Sequence, residues 1–318
     1  MAELGLAGLS LRDLEYACTV AELRHFGRAA ARCGVSQPAL SEQIRKLEGV
    51  LRLTLFERSR KGVEITPEGA AILAQAREVL GAARSLLEMA HSQGDPLAGP
   101  LRLGVIPTLG PYYLPSVLHA LRTTFPELGL RLEEGKTEEI ATRLAQGALD
   151  LALIALPEPG PGFTAMALFF EPFQLVAPQG HAVASLPRLT VADLRTEDFL
   201  LLEEGHCLRD QTVALCGATP DREGRFASSL EMLRHMIAAG EGFSLLPLLS
   251  LHDRRELEGL AIIRPVEEIS LARQQAAVPG RTIGLLWRAR DPRAEAFHRL
   301  GLFLRREAPR GTRQIAAI

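Results

Sequence analysis

The apolar positions between residues 9 and 65 have the spacing of short helices joined by tight turns. In HFGRAAARCGVSQPALSEQIRKLEGVL, residues 25–51, Gly34 stands where a helix ends and Ser36 where the next helix has its N-cap. One apolar stripe of the second helix is expected to face the core; it consists of Leu40, Ile44, Leu47 and Leu51. The pattern predicts a helix-turn-helix.

The polar side of this second helix suits the groove of DNA, with short polar side chains first and cations after them. These residues are Gln37, Pro38, Ser41, Glu42, Arg45 and Lys46. The following LFERSRKGVEIT, residues 55–66, predicts a wing. Its cations, which are expected to reach the phosphate backbone, are Arg58, Arg60 and Lys61. Cations such as Arg45 and Lys46 also occur on any solvated helix face, so this pattern alone leaves both interpretations open.

One long helical pattern covers residues 66–90, with Thr66 as its expected N-cap and Pro67 at its first position. Its apolar residues step by four and three, which predicts a coiled-coil seam. The seam consists of Ile72, Ala76, Val79, Ala83, Leu86 and Ala90, flanked by Leu73, Leu80 and Leu87. The alternative is an amphipathic helix packed on its own domain. The following SQGDPLAGP, residues 92–100, is typical of a domain boundary.

From residue 101 the pattern changes to alternating strands and helices. The first five elements are LRLGVI, PYYLPSVLHALRTTF, LGLRLEE, TEEIATRLAQG and LDLALIAL. A βαβαβ run predicts a parallel sheet that receives ligands at the carboxyl ends of its strands. Later strands are expected in FQLVAP, DFLLLEE, GFSLLPL and RTIGLLWR, and a last helix in AEAFHRLGLFLRRE. The pattern predicts two α/β lobes, with the chain returning to the first lobe at its end.

Composition narrows the classes of protein. The chain has 318 residues, 47% of them apolar, and a formal net charge of −2, so any DNA contact depends on local charge. No apolar stretch approaches the roughly 20 residues of a membrane span. The first residues lack a basic segment followed by an apolar one, so we expect a cytoplasmic protein rather than a secreted one. Cytoplasmic thiols are kept reduced, and a disulfide there is more often transient than structural.

Two of the four cysteines lie close together in GHCLRDQTVALCG, residues 205–217. The residues between them form a competent helix, which would separate Cys207 and Cys216 by about 13 Å. A disulfide tolerates at most about 7 Å between Cα atoms, so helix and bridge exclude each other. A bistable segment suits a thiol switch. Two unrelated core cysteines remain an alternative, whereas His206 beside two thiols falls short of a tetrahedral zinc site. Cys18 and Cys33 are expected to be packed small hydrophobes.

The N-terminal segments AAARCGVSQPALSEQIRKLE and LFERSRKGVEITPEG resemble the DNA-binding domain of LysR-type transcriptional regulators. The resemblance implies an α/β protein with an N-terminal all-α winged helix-turn-helix, a long linker helix and a two-lobed regulatory domain similar to periplasmic binding proteins. The implied boundaries are 1–65, 66–90 and 91–318, with lobe I at about 100–170 and 268–318 and lobe II at about 171–267. The linker helix, through Ile72, Val79 and Leu86, is then a dimerisation element within a homotetramer.

In the same resemblance, the groove-facing positions are those of Gln37, Pro38, Ser41 and Glu42. Many members of the family have a basic residue where this chain has Glu42. A carboxylate can accept a hydrogen bond from cytosine, but it repels phosphate.

Further segments are similar to the hydrogen-peroxide sensors of this family: LLLEEGHCLRDQTVALC, LGVIPTLGPYYLP, SLEMLRHMIAAGEGFSLLP and RTIGLLWR. The resemblance implies that Cys207 is the peroxidatic cysteine and Cys216 the resolving one, and that the Thr108 hydroxyl binds peroxide. Positions that line or support the site are Thr137, His206, Arg209, Asp210 and Arg281. Without the resemblance, the two threonines are equally expected to cap helices, His206 to hydrogen-bond in the core, and the other three residues to form surface ion pairs.

The implied chemistry is a thiolate attack on peroxide, with Arg281 and, when protonated, His206 as cations near Cys207. The resulting sulfenic acid condenses with Cys216, and a cellular dithiol reduces the disulfide again. We therefore expect a peroxide-responsive regulator that binds promoter DNA and RNA polymerase, with no cofactor, metal or membrane contact and no enzymatic turnover. The alternatives are a LysR-type regulator of a small organic effector, a thiol peroxidase, or a solute-binding protein of a transporter.

Overall fold

A computed structural model gives the fold of the chain. The residues that it describes are 8–59, 62–91, 94–157, 160–186, 189–194, 198–216, 225–252, 257–265, 269–270 and 278–315. The chain divides into two compact units, Met1–Gly94 with Ala145–Ala148, and Asp95–Leu144 with Leu149–Ile318. No helix among the described residues is long and apolar enough to cross a membrane.

The first unit contains four helices and one hairpin within its described part. They are α1 (Leu11–Leu23), α2 (Phe26–Arg32), α3 (Gln37–Leu51), β1 (Phe56–Ser59), β2 (Gly62–Ile65) and α4 (Pro67–His91). Gly34, in the turn between α2 and α3, has the positive φ of +68° expected there. The Ser36 hydroxyl accepts a hydrogen bond from the Ala39 amide and so caps α3. The strands β1 and β2 pair antiparallel. These features confirm the predicted helix-turn-helix and wing.

The stripe of α3 is largely as predicted, because Leu40, Ile44 and Leu47 are buried. The domain core also includes Cys18 and Cys33, which are half-buried against it as small apolar side chains, as predicted. Burial raises the pKa of the Cys18 thiol.

The helix α4 divides its apolar residues between two faces. The Thr66 hydroxyl caps it by accepting from the Gly69 amide at 2.9 Å. Three residues pack into the core of their own domain, and Ile72 is half-buried against it; the three are Leu73, Ala76 and Leu80. Ile72 and Ala76, which were predicted for the coiled-coil seam, thus pack against their own domain, as the alternative interpretation of the helix has it. Val79 and Leu86 remain 40% and 68% exposed and form the free apolar face of the helix.

The second unit alternates strands and helices through its first half. Its elements are β3 (Gly99–Val105), α5 (Gly110–Thr124), β4 (Leu128–Glu134), α6 (Thr137–Ala145), β5 (Leu151–Leu156), β6 (Phe163–Pro178), α7 (Ala182–Ser185) and β7 (Leu189–Thr190). The rest consists of β8 (Leu201–Leu202), α8 (Cys207–Cys216), β9 (Phe226–Ala227), α9 (Leu230–Ala238), β10 (Ser244–Pro247), β11 (Ala261–Pro265), β12 (Ile269–Ser270), β13 (Gly280–Arg288), α10 (Ala294–Arg306) and β14 (Arg313–Gln314). Two short 3₁₀ helices cover Val191–Leu194 and Leu248–Leu251.

The main sheet has the order β10-β6-β13-β5-β3-β4, with β11 and β14 also pairing with β6. The strands β4, β3 and β5 are parallel, as the βαβαβ pattern predicts, so their carboxyl ends share one edge. The strand β13 returns antiparallel to β5. The chain thus comes back to its first lobe, as predicted.

Two hydrophobic cores lie along the 16-residue strand β6. The lobe I core gathers buried residues of β3, α5, β5, β13 and α10 together with Phe169. The lobe II core gathers residues of α8, α9 and β10 together with Phe173. The predicted two-lobed α/β class is confirmed, although the sequence indicated only the last part of β6 as a strand.

Candidate functional site

Thr108 lies just beyond the carboxyl end of β3, and ligands of parallel α/β sheets bind at this edge. Thr108 is 2% exposed. Its hydroxyl accepts a hydrogen bond from Arg281 Nη1 at 2.7 Å, and its carbonyl accepts one from Nη2 at 2.8 Å. The N-cap of α5 is Leu109, without a side-chain cap, so Thr108 does not serve the capping role that was its alternative. Arg281 thus holds both polar ends of this residue.

Arg281 is held in turn by Glu171, a residue that sequence reasoning missed. The two face each other in the β13–β6 ladder, and Arg281 Nε donates to Glu171 Oε2 at 2.8 Å. The other carboxylate oxygen accepts from the Leu249 amide at 2.9 Å. Both side chains have no exposed surface. The surface ion pair that was the alternative for Arg281 is therefore excluded. A single glutamate in the apolar run ALFFEPFQLV was the available signal.

Thr137 is the first residue of α6, and two residues separate it from the end of β4. Its hydroxyl oxygen is buried and makes no hydrogen bond within the described structure. The neighbouring Lys136 donates from Nζ to the Glu204 carbonyl at 2.6 Å. Gly205, with φ of +89°, leaves room for that side chain, because a Cβ there would lie 2.8 Å from Lys136 Cδ. The loop after β4 therefore meets the loop that precedes α8.

His206 is buried, 6% exposed, immediately before α8. Burial lowers the pKa of His206 below the ordinary 6.5, and the positive charge of Lys136 lowers it further. A hydrogen bond to the Ser228 backbone raises the pKa but has the smaller effect. The imidazole is consequently neutral at neutral pH. His206 was expected to act as a cation near the thiol only when protonated, a condition that the lowered pKa does not favour at that pH. Arg281, the other expected cation, is buried as well, 2% exposed.

Cys207 is the first residue of α8, and Cys216 is the last. Their positions in one helix confirm the helical prediction for the segment between them. Cys207 is half-buried, carries a free thiol and packs against the lobe I core. Leu208, the next residue, is buried in the lobe II core. The side chain of Cys216 lies outside the described part of the structure.

Arg209 anchors α8 to its own lobe. It is 8% exposed, donates to the Leu202 carbonyl at 3.0 Å and places its guanidinium 4.7 Å from the centre of the Phe226 ring. It also lies 3.9 Å from the exposed Glu204 carboxylate. Asp210, in contrast, is exposed. Arg209 is therefore a buried contact between α8 and its own lobe, whereas Asp210 lies on the surface of the helix.

The DNA-binding residues predicted in the first unit are only partly where they were expected. Gln37, Pro38, Glu42 and Arg45 are exposed on α3. Ser41 is only 8% exposed, less than the groove-facing position predicted for it implies. Glu42 and Arg45 form an ion pair at 2.8 Å, with both side chains 69% exposed. Three residues that were predicted to contact DNA lie wholly or partly outside the described residues of the structure. They are Arg58, of which only the side chain is outside, and Arg60 and Lys61.

No group of three His, Cys, Asp or Glu side chains is placed to hold a metal ion in the part of the chain that is described.

Two family models match the chain. Residues 11–70 match the bacterial regulatory helix-turn-helix protein of the lysR family, and residues 94–309 match the LysR substrate binding domain. The DNA-binding transcriptional dual regulator OxyR of Escherichia coli K12 is 41% identical over 300 residues, covering 93% of this chain and 95% of the relative. The chain belongs to the OxyR branch of the LysR family.

Solved OxyR structures agree with this assignment along the chain. Full-length OxyR of Pseudomonas aeruginosa with a cysteine-to-aspartate substitution has a TM-score of 0.74 and 36% identity, covering 97% of this chain and 99% of that one. A cysteine-to-serine mutant of Corynebacterium glutamicum OxyR, with H₂O₂ bound, has a TM-score of 0.61 and 34% identity, covering 94% and 92%. The helix-turn-helix domain of the LysR family is a DNA-binding domain, and the family consists of transcriptional regulators.

Proposed function

We propose that this chain is a transcription regulator that senses hydrogen peroxide through reversible disulfide formation between Cys207 and Cys216. The observation that carries the proposal is the Thr108 hydroxyl, which Arg281 holds at the carboxyl edge of the sheet. Cys207 supplies a free thiol. It packs against the lobe I core, which also contains Leu109, the residue after Thr108. The peroxide-bound OxyR mutant, at 34% identity, supports peroxide as the ligand.

In the proposed reaction the Cys207 thiolate attacks one oxygen of H₂O₂. A sulfur–oxygen bond forms, the O–O bond breaks, and the leaving hydroxide takes up a proton to become water. Sulfur is oxidised by two electrons to a sulfenic acid. The Cys216 thiol then displaces water from the sulfenic acid and forms the disulfide. Because the chain belongs to a family of transcription regulators, we propose that this reaction serves sensing rather than enzymatic turnover.

The helix α8 converts this chemistry into a change of shape. Nine residue steps of about 1.5 Å separate its terminal residues by about 13 Å along the axis, whereas a disulfide needs Cα atoms within about 7 Å. Formation of the bond must therefore unwind α8. Since Leu208, Arg209 and Thr212 are buried in lobe II, unwinding rearranges the surface of that lobe. A dithiol reductant of the cytoplasm restores the helix.

The proposed partners follow from two helices of the first unit. The helix-turn-helix binds promoter DNA through α3, and the exposed face of α4 with Val79 and Leu86 pairs with a second copy. We propose a homotetramer, assembled as a dimer of dimers, that contacts RNA polymerase at the promoters of antioxidant genes. The change at α8 alters how the regulatory lobes pair and thereby where the helix-turn-helix units touch DNA.

Peptide mapping of the full-length protein after one equivalent of H₂O₂ tests the reaction. Trypsin cleaves after Arg209 and places Cys207 and Cys216 in separate peptides, so their bond appears as one cross-linked species. Cys207→Ser should abolish both the cross-link and the transcriptional response to peroxide. Cys33→Ser, at a half-buried thiol of the first unit, is the matched control and should retain both. A Cys207→Ser protein that still responds to peroxide would overturn the proposal.

A further inference from the structure

We infer that Glu171 is a positioning residue for the peroxide reaction, acting on Thr108 through Arg281. The inference rests on the proposed function and extends it to a carboxylate that is hydrogen-bonded to Arg281 and to the Leu249 amide. Its basis is a continuous buried set of hydrogen bonds: the Leu249 amide and Arg281 Nε both donate to Glu171, and Arg281 Nη1 donates to Thr108.

The direction of the last bond decides the role of the Thr108 hydroxyl. A guanidinium has only donors, so Arg281 Nη1 must donate and Thr108 Oγ1 must accept. A threonine hydroxyl has one hydrogen, and this bond does not use it. That hydrogen remains available to a ligand. Arg281 therefore sets Thr108 as a hydrogen-bond donor, which is what the leaving oxygen of peroxide requires as it gains negative charge.

The orientation of Arg281 depends on Glu171. Each of the three guanidinium nitrogens has its own partner: Nε binds Glu171, and Nη1 and Nη2 bind the hydroxyl and carbonyl of Thr108. The carboxylate is itself fixed, because its second oxygen accepts from the Leu249 amide. A planar guanidinium held at Nε has a defined direction for its other two nitrogens. Glu171 therefore fixes the plane from which Arg281 reaches Thr108.

Charge supports the same assignment. Arg281 and Glu171 have no exposed side-chain surface, and a buried cation without a partner is strongly destabilised. Glu171 thus allows a permanent cation to be present beside a site where an anionic sulfur attacks and hydroxide leaves. Arginine in this place acts by orientation and charge, since a guanidinium offers hydrogen-bond donors only.

The test compares two reactions of Cys207 in the full-length protein. One is sulfenic acid formation with H₂O₂, which uses the donor hydrogen of Thr108; the other is alkylation by iodoacetamide, which does not. We expect Glu171→Gln to lower the second-order rate with peroxide about tenfold. The alkylation rate should change less than twofold. A parallel fall of both rates would overturn the inference, because it would indicate a general disturbance of the thiol.

A double-mutant cycle separates action through Thr108 from independent action. Thr108→Val alone should lower the peroxide rate about a hundredfold, as loss of a donor to a developing oxyanion does. Adding Glu171→Gln to Thr108→Val should cause no further loss. Additive effects of the two substitutions would contradict a positioning role.

Asp150→Asn is the matched control for burial and charge. Asp150 is also fully buried and is paired with two arginines, Arg102 and Arg293, but it lies at the amino end of β5, opposite the Thr108 edge. This variant should lose stability and keep the wild-type peroxide rate. If Glu171→Gln does not fold, Glu171→Asp keeps the charge but is one methylene short of spanning both partners. It should then give a smaller loss of the peroxide rate alone, and a wild-type rate would refute the inference.

The two proposals fail in different ways. A wild-type protein in which peroxide leaves Cys207 unoxidised would overturn the proposed function and this inference with it. A wild-type protein that reacts, together with a Glu171→Gln variant that reacts equally fast, would overturn only the role of Glu171.

Discussion

Cys207 and Leu208 are adjacent in the chain but pack against different hydrophobic cores. The cysteine lies against the lobe I core, and the leucine is 2% exposed within the lobe II core. The start of α8 is therefore the point where the Cys207 side chain meets one lobe while its helix is anchored in the other. Any movement of the sulfur toward Cys216 must extract Leu208 or bend the chain directly beside it.

Leu208→Ala should weaken the helical, reduced form of α8. Truncating a buried leucine costs about 2–5 kcal/mol of unfolding free energy. If oxidation removes Leu208 from the core, the substitution lowers the unfolding free energy of the reduced form alone. The Cys207–Cys216 midpoint potential should then become more negative, by about 30 mV for each 1.4 kcal/mol, as measured by thiol–disulfide equilibration.

The control for that measurement is Leu233→Ala in α9, at a leucine 1% exposed in the same core. It should cost similar stability in both redox forms and leave the midpoint potential unchanged. A Leu208→Ala potential equal to the wild-type value would mean that Leu208 stays buried after oxidation.

The depressed pKa of His206 makes stability depend on pH. The folded chain keeps this ring neutral, since burial and then Lys136 lower its pKa, whereas the unfolded chain protonates it near pH 6.5. Between the two pKa values the unfolded state binds more protons, so stability falls as pH decreases. The stability that the neutral His206 ring contributes is fully present above about pH 6.5. It is lost progressively as pH falls toward the lowered pKa of the folded chain.

Urea unfolding of the reduced protein between pH 7.5 and 5 should reveal this dependence. His206→Asn should flatten the slope of unfolding free energy against pH in that range. His119→Asn, at an exposed histidine on α5, is the control for replacing a histidine outside the site. An unchanged slope in His206→Asn would contradict the assignment of a neutral buried ring.

Leu86→Glu should weaken self-association without unfolding the first unit. Leu86 is 68% exposed on α4, so a charge there costs the single chain little but opposes pairing of two helices. Sedimentation velocity should show a shift toward monomer at equal protein concentration. Leu80→Ala, at 8% exposure on the same helix, should instead lower the unfolding temperature. An unchanged sedimentation profile in Leu86→Glu would place the dimer contact elsewhere.

Glu42→Gln should raise the affinity for promoter DNA. The carboxylate pairs with Arg45 at 2.8 Å on the exposed side of α3, where it holds that cation and repels phosphate. Release of one exposed ion pair corresponds to about a threefold gain. The slope of log affinity against log salt should steepen by about one, because one more phosphate is contacted. Glu22→Gln, in the exposed pair with Arg32, is the control and should change neither value. A loss of affinity for one base alone would show that Glu42 reads cytosine instead.

The elements of the site were predictable from local patterns, but its contacts were not. LRDQTVAL predicted a helix, and Thr108 was expected beyond a strand because the βαβ pattern is local. Glu171 and Arg281 are 110 residues apart, and only the pairing of β6 with β13 makes them neighbours. The helical spacing of the apolar residues in α4 could not show which of them face the core and which stay exposed, since both sets have this spacing. Ser41 shows the same limit, because a small polar residue next to an apolar stripe carries no signal of its burial.

The continuity of β6 limits the ways in which the regulatory domain can transmit a signal. This single strand pairs with β13 as far as Pro172 and with β10 from Phe173 onward, so one hydrogen-bonded ladder extends under both lobes. A hinge closing around a ligand concentrates its rotation in a few unpaired connecting residues. Along β6 such a rotation would break ladder hydrogen bonds on both sides of Glu171. We therefore expect the lobes to keep their mutual orientation during a redox cycle. We expect the refolded surface around α8 to transmit the change to the DNA-binding domain.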